Sequence, residues 1–301
     1  MSTPPGLATI ARMEGEERND QGAMRAETRD VTGRFAPSPS GPLHEGSVLA
    51  AIGSYLSAKG QGGRWLLRID DIDAQRCHPI YAGQMQEQLT MLGLHWDGAI
   101  RYQSTCQTDY DAAFAKLRAD DYVYPCGCSR QSLLQSPCRC RERPPAQPRA
   151  WRLDLRTARV DFWQDRYLGM QENRFSEQDP VLLRADGPYA YIFACVVDDQ
   201  AQDVTEVIRG ADLVSITPVQ RFLQDCLGYP QPQYGHLPLV IGQDGKKLSK
   251  SAGAAAFDPR RAWEQSLRRL GFPTPEWLRG APPDEWRAWA LEVWATKKSN
   301  V

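Results

Sequence analysis

The run Gly33-Arg34-Phe35-Ala36-Pro37-Ser38-Pro39-Ser40-Gly41-Pro42-Leu43-His44-Glu45-Gly46-Ser47 decides how the rest of the chain is read. It leads from a short strand-like stretch at Arg34 and Phe35 into a helical pattern from Ser47 to Lys59. Prolines stiffen the loop between them, while Gly41 and Gly46 allow close backbone approach. The helix N-terminus after Gly46 offers N–H groups and a positive dipole end, the combination that binds phosphate. His44, just ahead of that helix, could donate to a phosphate oxygen.

Working outward, Trp65 to Ile69 follows across the turn Gln61 to Gly63, giving strand, helix and strand at the spacing of a parallel crossover. Helical patterns resume around Ile80 to Leu92 and Asp109 to Arg118. From Tyr122 to about Gln178 the chain turns rich in Cys, Arg, Pro and Gln, with strand-like pieces such as Ala150 to Leu155, and reads as an insertion. Apolar stretches suited to buried strands return at Tyr189 to Val197 and Leu237 to Ile241, with a helix from Pro218 to Leu227 between them. The expected fold is therefore α/β, a Rossmann-type parallel sheet whose halves span 33–121 and 181–256 around an insertion at 122–180. Residues 1–32 show little hydrophobic periodicity and read as a disordered extension. Residues 257–301 form a short helical tail with patterns around Arg260 to Leu270 and Asp284 to Trp294. On the second of these, Trp286, Trp289, Val293 and Trp294 share one face as a packing stripe.

The 301 residues are 42% hydrophobic and 24% charged, the composition of an ordinary globular protein. A net charge of −1 leaves a nucleic-acid partner open, because a basic groove can sit on a neutral protein. No apolar run approaches the roughly 20 residues that span a bilayer, and no basic segment leads into an apolar one at the N-terminus. A cytoplasmic protein without membrane contact is expected. In that reducing setting Cys126, Cys128, Cys138 and Cys140 supply four soft ligands for one structural Zn²⁺ per chain, with no position left for an activated water. A disulfide pair or free thiols are the alternatives.

Far downstream, Gly245-Lys246-Lys247-Leu248-Ser249-Lys250-Ser251 concentrates compact positive charge where a pyrophosphate leaving group would develop negative charge. Alone it would be a solvated turn; behind the Pro/Ser/Gly loop of an α/β chain it gains meaning. At this point the chain resembles the class I aminoacyl-tRNA synthetases. The stretch from Pro37 to Ser47 resembles their "HIGH" signature with a glutamyl-type lead-in, and Lys247 to Ser251 resembles "KMSKS". Arg68-Ile69-Asp70-Asp71-Ile72-Asp73 with Arg76, Val196-Val197-Asp198-Asp199 and Val207-Ile208-Arg209-Gly210-Ala211-Asp212 are similar to the glutamyl branch. The resemblance extends over about Gly33 to Pro259.

It implies that ATP, carried with Mg²⁺, binds at Pro37, Gly41, His44, Gly46, Ser47, Lys247, Ser249 and Lys250, with His44, Lys247 and Lys250 stabilising charge during catalysis. It also implies that L-glutamate is held by Arg34, Ser38, Asp70, Tyr191 and Arg209, with Asp70 on the α-ammonium. Which arginine takes which carboxylate stays open, and Tyr189 competes with Tyr191. Three positions depart from the family's pattern. Asp70 stands where glutamate is usual. Glu45 stands where an apolar residue is usual, so its side chain should turn to solvent. Ser136 stands where a zinc-binding tyrosine is usual, so Cys138 should take over.

The implied reaction starts with a glutamate carboxylate, already ionised at neutral pH with a pKa of about 4.3, attacking the α-phosphorus of ATP. No general base is needed. Three outcomes remain for the activated glutamate: transfer to queuosine in the anticodon stem-loop of tRNA(Asp), as in truncated members of the branch; transfer to a tRNA 3′ end; or none, in a non-catalytic relic that binds nucleotide or RNA. Only 50 residues of the 301 follow Ser251, without a dense Lys/Arg run, which favours an anticodon stem-loop brought to the catalytic domain itself.

Overall fold

A five-stranded parallel sheet organises the computed structural model, which describes residues 30–240 and 258–298. Its first half runs β1 (Thr32–Phe35), α1 (Glu45–Lys59), β2 (Arg64–Ile69), α2 (Pro79–Met91), β3 (Arg101–Tyr102) and α3 (Gln107–Ala119). The next segment holds β4 (Val123–Cys126), α4 (Arg130–Gln135), β5 (Ala150–Leu153), β6 (Phe162–Asp165), β7 (Gly169–Glu172) and β8 (Val181–Leu183). The chain then returns through α5 (Tyr191–Ala201), β9 (Glu206–Gly210), α6 (Thr217–Leu227) and β10 (Gln233–Leu237), and closes with α7 (Pro259–Arg269) and α8 (Pro283–Lys298).

The parallel strands lie in the order β10-β9-β1-β2-β3, so the chain reverses its direction of winding between β1 and β9. Ligands of open α/β sheets bind at the carboxyl ends of the strands beside such a switch point. Strands β4, β5 and β8 form a separate antiparallel sheet, and β6 and β7 pair as a hairpin.

Helix α1 is buried on nearly every face from Val48 to Ala58, because it lies between the sheet and the C-terminal helices. The approach to β1 is close enough that a Cβ on Gly33 would sit 2.9 Å from the Ala58 Cβ. One core joins α1, β1, β2 and α2 to α7 and α8 through Trp65, Trp263, Trp286 and Trp294. The expected tryptophan stripe is thus a packing face, with Trp289 and Val293 partly buried beside it. A second core gathers α3, α5 and α6 with Val123, Leu153 and Leu182 of the antiparallel sheet.

Three expectations change. Tyr189 to Val197 is no strand: from Tyr191 onward it is helix α5. Phe193 to Asp199 are buried between two layers, and a helix apolar all round cannot be told from a strand by periodicity. The last strand of the described residues is Gln233–Leu237 rather than a run from Leu237; Pro238, lacking an N–H, closes it, and Ile241 lies outside the described residues. The fold also begins earlier than Gly33: Thr32 is buried and pairs with Arg64, and the Arg64 N–H donates to the Val31 carbonyl at 2.8 Å.

Trp263 is fully buried and its indole N–H donates to the Leu92 carbonyl at 3.0 Å, tying α7 to the end of α2. Trp263→Ala should cost about 3–5 kcal/mol in denaturant unfolding. Trp277→Ala, at a side chain 69% exposed, should stay within about 0.5 kcal/mol of the parent.

Candidate active site and cysteine centre

At the carboxyl ends of β1, β9 and β10 the sheet opens into a cavity of about 640 Å³. Arg34 and Phe35 end β1, Asp70 follows β2, Arg209 and Gly210 end β9, and Tyr191 starts α5; all border it, with Ser38 from the loop. The five residues expected at a glutamate site therefore surround one space. Pro37, His44, Gly46 and Ser47 border it too, whereas Gly41 is buried in the same loop away from its lining. Lys247, Ser249 and Lys250 lie outside the described residues.

His44 is the N-cap of α1. Its Nδ1 accepts from the Gly46 and Ser47 N–H groups at 3.1 and 3.3 Å, so these donors serve the cap rather than standing open to phosphate. With Nδ1 accepting, the neutral ring carries its proton on Nε2. The fit is close, since a Cβ on Gly46 would lie 3.1 Å from the His44 Cε1. Glu45 does not simply face solvent: Arg269 of α7 grips both its carboxylate oxygens at 3.1 and 3.3 Å.

Behind Arg34 and Asp70 of the lining lies a network of buried charges. Asp199 accepts from Arg34 Nε at 3.1 Å and from Arg68 NH1 at 2.5 Å. Arg68 Nε donates to Asp70 Oδ1 at 2.7 Å, and the Cys195 thiol donates to Asp70 Oδ2 at 3.5 Å. Asp198 accepts from Arg101, Gln103 and the Tyr110 hydroxyl at 2.8 to 3.0 Å. Burial would raise the Asp199 carboxyl, but Arg34 and Arg68 outweigh it and hold it below its ordinary value. For Asp70 burial wins over Arg68 and the carboxyl rises to about 6. Burial likewise pushes the Tyr191 hydroxyl well above its usual value, so the phenol stays neutral.

Arg209 is held differently. Its Nε donates to His236 Nε2 at 3.1 Å and its NH2 to Thr217 Oγ1 at 2.9 Å, and no carboxylate oxygen of the described residues lies within 4.0 Å of it. A buried guanidinium bordering a cavity without an anionic partner has the chemistry to take an anion there. Tyr189 borders the cavity, but its hydroxyl is spent on Asp111 at 2.8 Å and its ring on Phe193 and Tyr110.

Of the residues that matter here, sequence reading left Arg68, Cys195, Asp165, Thr217 and His236 without a role. One signal was available: an arginine inside Leu66-Leu67-Arg68-Ile69 cannot be buried without acidic partners.

Away from the cavity, the four clustered cysteines meet at the end of β4. Their sulfur atoms lie within 4.8 Å of one another, with Cys126–Cys138, Cys128–Cys138 and Cys128–Cys140 at 3.7, 3.8 and 3.6 Å. Tetrahedral zinc with bonds of about 2.3 Å sets its sulfurs about 3.8 Å apart, so this donor set could hold such an ion. Arg152 Nε donates to Cys126 Sγ at 3.2 Å and the Gly127 N–H to Cys140 Sγ at 3.4 Å, offsetting thiolate charge. Cys138 is in the cluster, and Ser136 merely ends α4.

The family described as tRNA synthetases class I (E and Q), catalytic domain, matches residues 30–162 and 163–276. The chain is 43% identical over 278 residues to the glutamyl-Q tRNA(Asp) synthetase of Thiobacillus denitrificans, covering 87% of this chain and 92% of that one. It is 44% identical over 280 residues to the enzyme of the same name from a Synechococcus, covering 86% and 93%. Among solved structures it is similar to a glutamate tRNA ligase from Elizabethkingia meningosepticum in complex with its amino acid, with a TM-score of 0.66 and 29% identity, over 76% of this chain. The chain spans about half, 53%, of that ligase. No helix of the described residues is long and apolar enough to cross a membrane.

One zinc per chain is expected in protein purified under reducing conditions, and chelation should loosen the segment from β4 to β8 while leaving the parallel sheet folded. Metal analysis with hydrogen exchange checks both; metal-free protein with full protection in that segment would refute the zinc.

Proposed function

The chain belongs to the class I tRNA synthetases (E and Q), in the family of the glutamyl-Q tRNA(Asp) synthetases, and from that premise we propose that it activates L-glutamate with ATP and transfers it to queuosine in the anticodon stem-loop of tRNA(Asp). The observation that carries the first half is Arg209, a buried cation at the wall of the cavity with no carboxylate of the described residues to neutralise it. A dicarboxylic amino acid supplies that anion.

In this reading Arg34 and Arg209 take the two carboxylates, Tyr191 and Ser38 line the space between, and Asp70 receives the ammonium. The Asp70 side chain is already anchored by Arg68, so its position is set before substrate arrives. ATP, carried with Mg²⁺, lies along the loop from Pro37 to Ser47, with His44 beside the phosphates. Lys247, Ser249 and Lys250 complete the charge stabilisation as the pyrophosphate departs. Attack by an ionised carboxylate needs only positioning and a field, both supplied by side chains fixed in advance. The cysteine centre is assigned Zn²⁺ as a structural ion, and the cytoplasm, where ATP and tRNA meet, is the expected compartment.

For the acceptor, the support comes from relatives that this chain covers to 92 and 93% of their length and that bear the glutamyl-Q tRNA(Asp) name. The test is ATP–pyrophosphate exchange followed by transfer of labelled glutamate. Exchange should proceed with glutamate and no tRNA. Label should then appear on queuosine-containing tRNA(Asp), and on a queuosine-containing anticodon stem-loop that has no 3′ CCA end. Label that needs an intact 3′ end, or that appears equally on queuosine-free tRNA, would favour ordinary charging.

Asp70 gives a second check. With its folded pKa raised to about 6, it gains a proton as pH falls through that value and can no longer receive an ammonium as an anion. Glutamate affinity measured by calorimetry from pH 8 to 5 should therefore hold steady and then fall below about pH 6, approaching about tenfold per pH unit. A flat profile down to pH 5 would remove Asp70 from the ammonium site.

A further inference from the structure

Asp165 and His236 are both fully buried, yet neither borders the cavity. Asp165 ends β6, the first strand of the hairpin, and its two oxygens do separate work. Oδ1 accepts from the Tyr167 and Leu168 N–H groups at 2.9 Å each, closing the hairpin turn, and from the His236 N–H at 3.2 Å. Oδ2 accepts the proton of His236 Nδ1 at 2.6 Å. That bond fixes the imidazole tautomer: with Nδ1 donating, Nε2 presents a lone pair, and this is the atom that accepts from Arg209 Nε.

The chemistry is consistent along the line. Burial is the main influence lowering the basicity of His236, against the pull of Asp165, so the ring stays neutral and its Nε2 can accept. Burial alone would raise Asp165, but the bonds from His236, Leu168 and Tyr167 hold it ionised. The rings of Tyr234 and His236 stack at an interplanar angle of 6°, and the Arg209 guanidinium carbon lies 5.3 Å from the Tyr234 centroid. Together with Thr217 these contacts use two of the five donors of the guanidinium and restrain its plane.

We infer that Asp165 and His236 are positioning residues that hold Arg209 ready for a substrate carboxylate, so that the β6–β7 hairpin, outside the parallel sheet, sets affinity for the amino acid. This rests on the reading of Arg209 as a carboxylate receptor. A neutral, aligned partner is what such a receptor needs: it fixes the fork without cancelling its charge, as a carboxylate in direct contact would.

Asp165→Asn isolates the effect. The amide oxygen can still accept from the turn, while the NH2 replaces Oδ2 beside Nδ1, driving the ring proton to Nε2 and setting donor against donor at Arg209. The expected result is glutamate binding weakened on the order of 10- to 100-fold by calorimetry, the KM for ATP within about twofold, and an imidazole ¹⁵N spectrum that switches from the Nδ1–H to the Nε2–H form. In parallel, His236→Gln, whose amide oxygen can replace Nε2 as acceptor, should retain glutamate binding that His236→Leu loses, which keeps the test alive should Asp165→Asn fail to fold. Glutamate binding unchanged in Asp165→Asn and His236→Leu, while Arg209→Ala loses it, would overturn this inference and leave the site reading standing. ATP and glutamate weakened alike would also overturn it, as a merely structural role. Glutamate binding unchanged in Arg209→Ala would overturn the site reading itself, and the inference with it.

Discussion

The carboxylate of Asp199 is the point at which the fold and the cavity become one structure. Buried beside two guanidiniums, it joins β1 through Arg34 and β2 through Arg68 to helix α5. Removing one partner of such a set strands charge in the interior, which is far costlier than losing a surface pair. The preceding residue, Asp198, bonds Arg101, Gln103 and Tyr110 and also lies 3.8 Å from Arg68 Nε. In a helix consecutive side chains are turned by about 100° and can reach two neighbouring layers of one interior, whereas a strand would send them to opposite faces.

Local patterns and long-range partners differ in how far they can be seen in the sequence. The loop from Pro37 to Ser47, the cysteine cluster and the tryptophan face of α8 were legible because each is local: its meaning lies in residue types at short spacing. Helix α5 was not, because its apolar residues are buried on every side and carry no period to separate helix from strand. Strand β10 was misplaced for a related reason. Gln233-Tyr234-Gly235-His236 is polar for a strand buried from Tyr234 onward, and its His236 and Tyr234 pack against Arg209. Asp165 and His236 are 71 residues apart in sequence, and Glu45 and Arg269 are 224 apart. No spacing rule joins such residues, and their partners appear only once the chain is folded.

The segment between the halves of the sheet is more than an appendage. Val123, Leu153 and Leu182 of its antiparallel sheet share a core with α3, α5 and α6, while Trp163 of the hairpin packs with Val204, Val207 and Tyr234. Arg152 reaches from that core to the Cys126 sulfur at 3.2 Å. A metal bound there would stiffen one end of β4, whose other end contributes Val123 to the packing of α3 and α5. The hairpin meets β9 and β10 next to Arg209.

The two arginines expected at the glutamate site are consequently unlike. Arg34 shares its charge with Asp199 at 3.1 Å, so part of its attraction for a substrate carboxylate is already cancelled. Arg209 is oriented by an imidazole nitrogen and a hydroxyl, both uncharged, with the Asp165 carboxylate set back behind the imidazole rather than in contact with the guanidinium. Coulomb attraction between opposite charges at contact in a partly buried site, with an effective dielectric constant near 20, amounts to about 4 kcal/mol before desolvation is subtracted, so the difference between a cancelled and an uncancelled partner is large. Arg209 should accordingly dominate affinity, while Arg34 contributes more through its donors and the shape of the wall than through charge. The asymmetry follows from the scaffold: β1 faces the acidic helix α5, and β9 faces the imidazole of β10.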